Sequence, residues 1–565
     1  MTEGLEIWGG IECSIVQTAQ SVRNQLHDTG HFSRREDLGL VKELGLKTIR
    51  YPVLWEMVEK ERDIFDWSWT DKRLGDLQRD RILPIAGLIH HGSGPQWTNM
   101  LDPDLPERLA HYAGQVARRY PWIKLFTPVN EPFTTARLSA LYGLWHPFTN
   151  DEKVCFRITV AECRAISLSM KAIRQVTPDA KLIQTEDFGR IFSTPSLKYQ
   201  ADYENERRWL SIDLLMGRVG KCHPLYKRLL AAGVNPAHLD ELQADPCFPD
   251  IIGIDYYLTS DRVLDDRLNL HAEEQPGGNG KHSYVDIAAV RSDIPQENKG
   301  LSNRLAELWA RYGRPIAITE LHNGCSREEQ LRWFMEGWHS AAAAREGGID
   351  IRAVTSWSLF GAEDWNSMMT RQDNHYESGA FDARYQPPEP TIIAEAIRSL
   401  VLSGEFDHPV LDQSGWWHAD DMNTEPARPL VLEGFSRISS ALEEHCNLRR
   451  LRTVLATANE DRSSLFDRHR AWGLVRCGEY RSSTGRLDKT QPMTLTCEYS
   501  DGGTLKLDLP PQSNYRDYLD TFLDLIVDHR IGELRCVRPS RSTASNALVE
   551  PTRNLENQAR VRRTA

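Results

Sequence analysis

As far as about residue 400, apolar residues come in short continuous runs, separated by longer segments in which they recur three and four positions apart. The runs read LEIWGGI from Leu5, LKTIRYPV from Leu46, LPIAGLIH from Leu83, LFTPVNEP from Leu125, KLIQTED from Lys181, DIIGIDYY from Asp250, PIAITEL from Pro315 and IRAVTSWSLF from Ile351. Spacers such as PERLAHYAGQVARRY and REEQLRWFMEGWHSAAAAR place their apolar positions on one face of a helix. A run that is apolar throughout is a strand buried on both faces, and such strands alternating with helices build a parallel sheet covered on both sides. Eight such units predict an α/β fold, a closed (β/α)8 TIM barrel whose functional side chains gather at the C-terminal ends of the strands.

Each run turns polar or aromatic where it ends: Glu12, Arg50, His90 and His91, Asn130 and Glu131, Glu186 and Asp187, Asp255 with Tyr256 and Tyr257, Glu320, and Trp357. One polar strand end is ordinary, because a chain leaving a core must meet water. Eight together, carrying carboxylates and aromatics, predict a carbohydrate pocket, since sugars offer hydroxyls to hydrogen-bond and apolar ring faces to stack on. Two stretches stand out: TPVNEP, which ends at Glu131 and Pro132, and IAITEL, which carries Glu320. Paired carboxylates across a sugar ring are what glycoside hydrolysis needs, one to protonate the leaving oxygen and one to attack or to activate water. The plain alternative for either glutamate is a salt-bridged barrel carboxylate.

Over about residues 5–400 the chain resembles glycoside hydrolase family 1, the β-glucosidase-like retaining glycosidases. TPVNEP is similar to that family's TFNEP motif at Asn130, Glu131 and Pro132, and ITELHNG is an interrupted form of its ITENG motif that keeps Glu320. The resemblance implies Glu131 as acid/base and Glu320 as nucleophile. It also implies that Arg50 of RYPVLW hydrogen-bonds the nucleophile and helps keep it ionised, that His90 of LIHHG and Asn130 bind sugar hydroxyls, and that Tyr257 of GIDYY touches the nucleophile. SWSLFGAEDW resembles the family's WSLLDNFEW, which implies Trp357 under the sugar and Asp364 and Trp365 over its far hydroxyls. There are departures. Asp364 replaces the usual glutamate, Asp255 replaces the usual asparagine, and Val16 stands where a glutamine clamps the distal hydroxyls. The catalytic set is complete while the specificity set is altered.

Composition adds little beyond a soluble enzyme. A net charge of −12 over 565 residues argues against nucleic-acid binding. MTEGLEIWGG opens straight into the first strand, so neither secretion nor a membrane span is indicated, and a cytoplasmic location is expected. The ten cysteines are scattered without a CxxC pair and read as reduced residues. His90 and His91 lack a third ligand at zinc spacing, so no metal is expected, and no cofactor. Trp97 and Trp145 lie in rim loops, where a tryptophan either stacks on a sugar or packs the loop down.

The barrel is assigned to residues 1–402 and a polar, aperiodic linker to 403–428. From 429 to 538 the chain opens as a βαβ unit and resembles the dTDP-4-dehydrorhamnose reductase family in degenerate form, a second, smaller Rossmann-like domain. HRAWGLVRCGEY is similar to that family's third strand, and TLTCEYSDGGTLKLDL is predicted as a hairpin about an SDGG turn. A dinucleotide site needs glycines at three places in the first turn; Gly434 is present, but Arg437 and Ser440 occupy the other two, and no YxxxK follows. NADP binding is therefore not expected. Residues 539–565 are polar and expected to be disordered.

The functional expectation is a retaining β-glycosidase acting on a small-molecule or oligosaccharide glycoside. Two alternatives stand beside it: a transglycosidase of polysaccharide or glycolipid synthesis using the same glutamates, and a non-catalytic sugar-binding protein.

Overall fold

The computed structural model describes residues 4–272, 274–418, 428–434, 437–457, 461–478, 493–500, 502–509 and 516–534. The chain divides into two compact units, one of Met1–Cys325 with Trp333–Gly404 and one of Ser326–Arg332 with Glu405–Ala565.

In the first unit the eight apolar runs are eight parallel strands: β1 (Glu6–Gly10), β2 (Thr48–Pro52), β3 (Leu83–His90), β4 (Leu125–Asn130), β5 (Lys181–Asp187), β6 (Ile251–Tyr256), β7 (Ile316–Leu321) and β8 (Ile351–Ser356). They pair in sequence order and close as a barrel through β8 and β1. The predicted TIM barrel is thus the observed one. Helices α1 (Asp37–Glu43), α2 (Ser68–Asp80), α3 (Leu105–Arg119), α4 (Glu152–Val176), α5 (Pro236–Ala244), α6 (Leu301–Tyr312), α7 (Arg327–Glu346) and α8 (Ile392–Ser403) follow the successive strands. Local chemistry sets their ends. Asp151 caps α4 by accepting from the Lys153 amide, Pro106 occupies the first turn of α3, and Gly404 ends α8 in the left-handed region.

Strand register places the chemistry. Gly10 pairs with Arg50, His90 with Asn130, and Asp255 with both Asp187 and Glu320, so side chains far apart in sequence share one layer at the strand ends. The β6–β7 register shifts between Ile318 and Glu320, an irregularity that re-aims the side chain following it. Below this layer Trp8, Ile85, Ile183, Ala317 and Ala353 form an apolar cluster drawn from five strands. Two glycines keep room for the site: a Cβ on Gly10 would fall 2.3 Å from Cε3 of Trp357, and one on Gly253 would fall 2.4 Å from the Thr319 hydroxyl.

The second unit holds β9 (Leu430–Glu433), α9 (Arg437–Leu448), β10 (Thr453–Ala456), α10 (Arg462–His469), β11 (Gly473–Gly478), β12 (Met493–Tyr499), β13 (Thr504–Leu509) and α11 (Arg516–Leu534). Its sheet runs β10-β9-β11-β12-β13, with β9 parallel to both neighbours and the remaining pairs antiparallel. The opening βαβ unit and the hairpin appear as predicted: Leu495, Cys497, Tyr499, Leu507 and Leu509 are buried and Gly502 has φ 95°. The third run behaves differently. β11 lies against β9 on the side away from β10, the place of a fourth strand in doubly wound order, and among the described residues no strand extends the sheet beyond β10. In the stretch read as a linker, Pro409–Asp412 and Trp416–His418 form short turns that bury Val410 and Trp417. Positions 419–427 and the tail from 539 to 565 lie outside the described residues. Among the described residues no helix is long and apolar enough to cross a membrane.

Candidate active site

Glu131 follows β4 directly and takes the left-handed conformation, φ 43° and ψ 62°, as the residue preceding the short helix Pro132–Ala136. That conformation costs a non-glycine residue on the order of 1–2 kcal/mol. The turn is held from β5, where the Glu186 carboxylate accepts from the amides of Phe133 and Thr134 at 2.9 and 3.0 Å and from the Ser211 hydroxyl at 2.8 Å. An anion against the first free amides of a helix is favourable, so Glu186 fixes the direction in which β4 releases Glu131.

Glu320 sits opposite in a donor-rich setting. Arg50 Nη1 donates to its Oε1 at 2.8 Å, and the Tyr257 hydroxyl donates to its Oε2. The same guanidinium donates to the Thr319 carbonyl at 2.8 Å and to Asn130 Oδ1 at 2.5 Å. Asn130 Oδ1 also accepts from the Thr185 hydroxyl at 2.7 Å, while its amide nitrogen faces Glu320 Oε1 at 3.4 Å and His90 Nε2 at 3.3 Å. The Trp357 indole stacks on His90 with centroids 5.3 Å apart and lies 4.5 Å from the Arg50 guanidinium. Arg50, His90, Asn130, Tyr257, Glu320 and Trp357 therefore converge as a single network.

Glu131 has the contrary environment. Its Oε1 is buried with no hydrogen-bond partner, and its Oε2 lies 3.5 Å from His91 Nε2. Burial, followed by the charges of Asp255 and Glu320, pushes its carboxyl well above the usual carboxylate range. The Asp255 carboxyl is raised by the same two causes, burial and Glu320. Burial also lifts Glu12, at the end of β1, to about 7. His91 is lowered to about 3 and His90 well below its ordinary value, both mainly by burial, so the two imidazoles are neutral at physiological pH.

The distal residues are placed less simply. Asp364 is buried, but its carboxylate already accepts from Arg23 Nη2 at 3.0 Å and from the amides of Asp373 and His375 at 3.1 and 2.9 Å. Val16 lies in an apolar cluster with Trp145 and Met369, against which Leu138, Leu144 and Trp365 pack. The Trp365 indole N–H is buried and unpaired. Trp145 and Trp97 both pack their loops, donating to the Met368 carbonyl at 2.8 Å and the Glu59 carbonyl at 3.0 Å. The sequence gives no role to Glu186, Thr185 or Thr319 and sets His91 aside as a metal ligand; Thr185 and Thr319 carry no signal beyond their place in a strand.

Among the described residues Glu206, Asp213 and His223 are close enough to share a cation. Arg311 already donates to Asp213, and His223 is 3.3 Å from the same carboxylate, so the guanidinium fills that role.

A parallel barrel that gathers two glutamates, one rich and one poor in hydrogen-bond donors, at the ends of its fourth and seventh strands has the architecture of a glycosidase. The glycosyl hydrolase family 1 profile matches residues 17–373, and the chain belongs to that family; it is a glycoside hydrolase. It is 24% identical over 370 residues to the aryl-phospho-beta-D-glucosidase BglH of Bacillus subtilis (strain 168), spanning 59% of this chain and 77% of the relative. It is likewise 24% identical over 369 residues to the 6-phospho-beta-glucosidase of Clostridium longisporum, spanning 57% and 74%. Among solved structures, the family 1 β-glucosidase from Thermotoga maritima superposes with a TM-score of 0.58 at 15% identity, covering 71% of this chain and 98% of that one. These relatives support a β-glycosidase.

Folded Glu131 keeps its proton to a higher pH than the unfolded chain does. Between those two titrations the folded state binds the extra proton, so the stability tied to this residue falls as pH rises above the ordinary carboxylate range. Glu131→Gln, which cannot ionise, is expected to raise the urea midpoint of the barrel near pH 8 and to change it little near pH 4. Equal effects at the two pH values would contradict a raised Glu131.

Proposed function

We propose that the barrel hydrolyses β-glycosides with retention of configuration. Glu320 attacks the anomeric carbon while Glu131 donates its proton to the leaving oxygen; Glu131 then takes a proton from the water that releases the sugar. The observation carrying this reading is the contrast between the two carboxyls. Glu320 receives hydrogen bonds from Arg50 and Tyr257, whereas Glu131 has a buried oxygen with no partner and a raised pKa. Environments that separate two carboxyls in this way assign the acid and the nucleophile. Asn130 would hold the 2-hydroxyl, His90 a neighbouring hydroxyl, and Trp357 the ring face, with the Trp365 N–H toward the far end.

Glu320→Gly is expected to lower kcat on an aryl β-glycoside by about a thousandfold or more, and azide to restore turnover as the glycosyl azide of inverted configuration. Proton NMR of the first product of the wild type should give the β-anomer. Unchanged activity in Glu320→Gly would remove Glu320 from the mechanism.

The relatives' names divide between phosphorylated and unphosphorylated glucosides, and the distal end supports the latter for this chain. Arg23, paired across its ribbon with Val16, is already bound to Asp28 and Asp364. A sugar phosphate there would have to displace a carboxylate. An aryl β-glucoside is expected to exceed its 6-phosphate in kcat/KM by about tenfold or more; preference for the phosphate would overturn this.

The second unit is proposed as a degenerate, truncated reductase-like domain of residues 429–538 that binds no dinucleotide. Support comes from its parallel β10-β9-β11 core, the positive φ of 93° at Gly434, and the exposed Arg437 and Ser440 in the first turns of α9. Calorimetric titration of the full chain with NADPH should show no binding; a micromolar dissociation constant would restore a reductase reading. Cys13, Cys155, Cys163, Cys222, Cys247 and Cys446 are unbridged thiols, which fits the proposed cytoplasmic location.

A further inference from the structure

Two oxygens in the site lack a donor for the same reason. Glu131 Oε1 and Asp255 Oδ2 are both buried with no N–H or O–H donor reaching them, and the Glu131 side chain acts on Asp255 as a hydrogen-bonding neighbour. Two carboxylates cannot satisfy one another, since each only accepts; one proton between them satisfies both. We propose that Asp255 and Glu131 share a single proton, so that Asp255 positions and tunes the acid/base of the reaction, resting on the assignment of Glu131 above.

The surroundings fit one proton for the pair. Asp255 Oδ1 accepts from the Thr319 hydroxyl at 2.6 Å, which leaves Oδ2 as the oxygen without a donor. Arg50, the nearest cation, is 3.9 Å from Asp255 but 2.8 Å from Glu320, so its charge is spent mainly on Glu320. The other groups facing the pair are the neutral His91 on the β3 side, Glu186 and Asp187 from β5, Tyr257 after β6, Glu320 on β7, and Arg137 beyond the Glu131 helix. Carboxyl groups outnumber guanidinium groups around the pair, and burial raises those of Glu186 and Asp187 as well, which favours retaining a proton. The asparagine implied at this place by the family resemblance would instead donate an N–H to Glu131 and carry no charge.

The pair acts in both half-reactions. In the first, the Glu131 O–H bond breaks and its proton goes to the glycosidic oxygen as the bond from that oxygen to the anomeric carbon breaks and the bond from Glu320 forms. Both members of the pair are then anions in contact, which makes Glu131 a stronger base. In the second, Glu131 takes a proton from water, the water oxygen bonds to the anomeric carbon, the ester to Glu320 breaks, and the pair again holds one proton.

The test uses the full chain and the pH dependence of kcat/KM on an aryl β-glycoside with a poor leaving group, whose basic limb reports loss of the acid's proton. Asp255→Asn removes the like charge and should move that limb down by about one pH unit or more. Thr319→Val removes the donor that stabilises the Asp255 anion and should move the limb up. Opposite shifts support the pair. A uniform loss of rate with the limb unmoved in both variants, or movement in the same direction, would mark Asp255 as structural and overturn it; if Asp255→Asn fails to fold, the sign of the Thr319→Val shift decides alone. Glu131→Ala separates this from the parent assignment. Loss of turnover confined to poor leaving groups, with azide accelerating a dinitrophenyl substrate, upholds Glu131 as acid/base, whereas wild-type behaviour on poor leaving groups would overturn both.

Discussion

One guanidinium organises the site. Arg50 is buried with Glu320 at 2.8 Å, Asn130 at 2.5 Å and the Trp357 face at 4.5 Å, and Asp255, Glu131 and Glu12 lie in the same layer. Burying a charge is costly unless it is paired, and one cation can pair fully with one carboxylate. Glu320 takes that partner. The remaining carboxyls are raised by burial to different extents: Glu12 is lifted to about 7, Glu131 and Asp255 move well upward, and Glu186 is raised against the opposing effect of two amides and a hydroxyl. The difference between the two glutamates follows from the Arg50 charge being spent on Glu320.

The barrel makes that arrangement possible. Parallel strands in a closed ring bring every C-terminal end to one side, and the pairings Gly10 with Arg50, His90 with Asn130 and Asp255 with Glu320 put the charges level. The cost of crowding falls on small residues beneath. Gly10 leaves space for the Trp357 indole, and Gly253 leaves space for the Thr319 hydroxyl that Asp255 accepts from.

The strands were legible because a continuous apolar run ended by a polar residue is a local signal, and strand ends in a barrel must converge whatever their distance in sequence. Arg50, Asn130, Tyr257 and Glu320 could be gathered on that basis. Asp364 could not be read so. Its carboxylate is absorbed by Arg23, which lies 341 positions away on a short ribbon whose pairing no periodicity announces. The apolar wall of Val16, Trp145 and Met369 joins three loops, and loop packing leaves no repeat in a sequence. Asp255 was visible as a departure from a motif, but its meaning depends on which oxygen Thr319 occupies. In the second unit the hairpin was legible from alternation, whereas the side of β9 that β11 would choose was not, because strand order is set by connections and not by the strand itself.

The alternative of a purely structural carboxylate makes a definite demand that Glu131 does not meet. A glutamate retained for stability would be ion-paired, with both oxygens satisfied and its backbone relaxed. Glu131 instead has φ 43° and an enclosed oxygen that no donor reaches, and among the described residues its ion-pair neighbour is His91 at 3.5 Å, whose imidazole is neutral. Each of these is unfavourable, and they coincide on one residue. Glu186 of β5 binds the amides of the turn following Glu131, and it is itself held by the Ser211 hydroxyl from the helical segment after β5. The surroundings therefore fix the direction of the carboxyl while leaving its charge unfavourable, a combination that destabilises the fold and suits an acid that must release and recover one proton in each cycle.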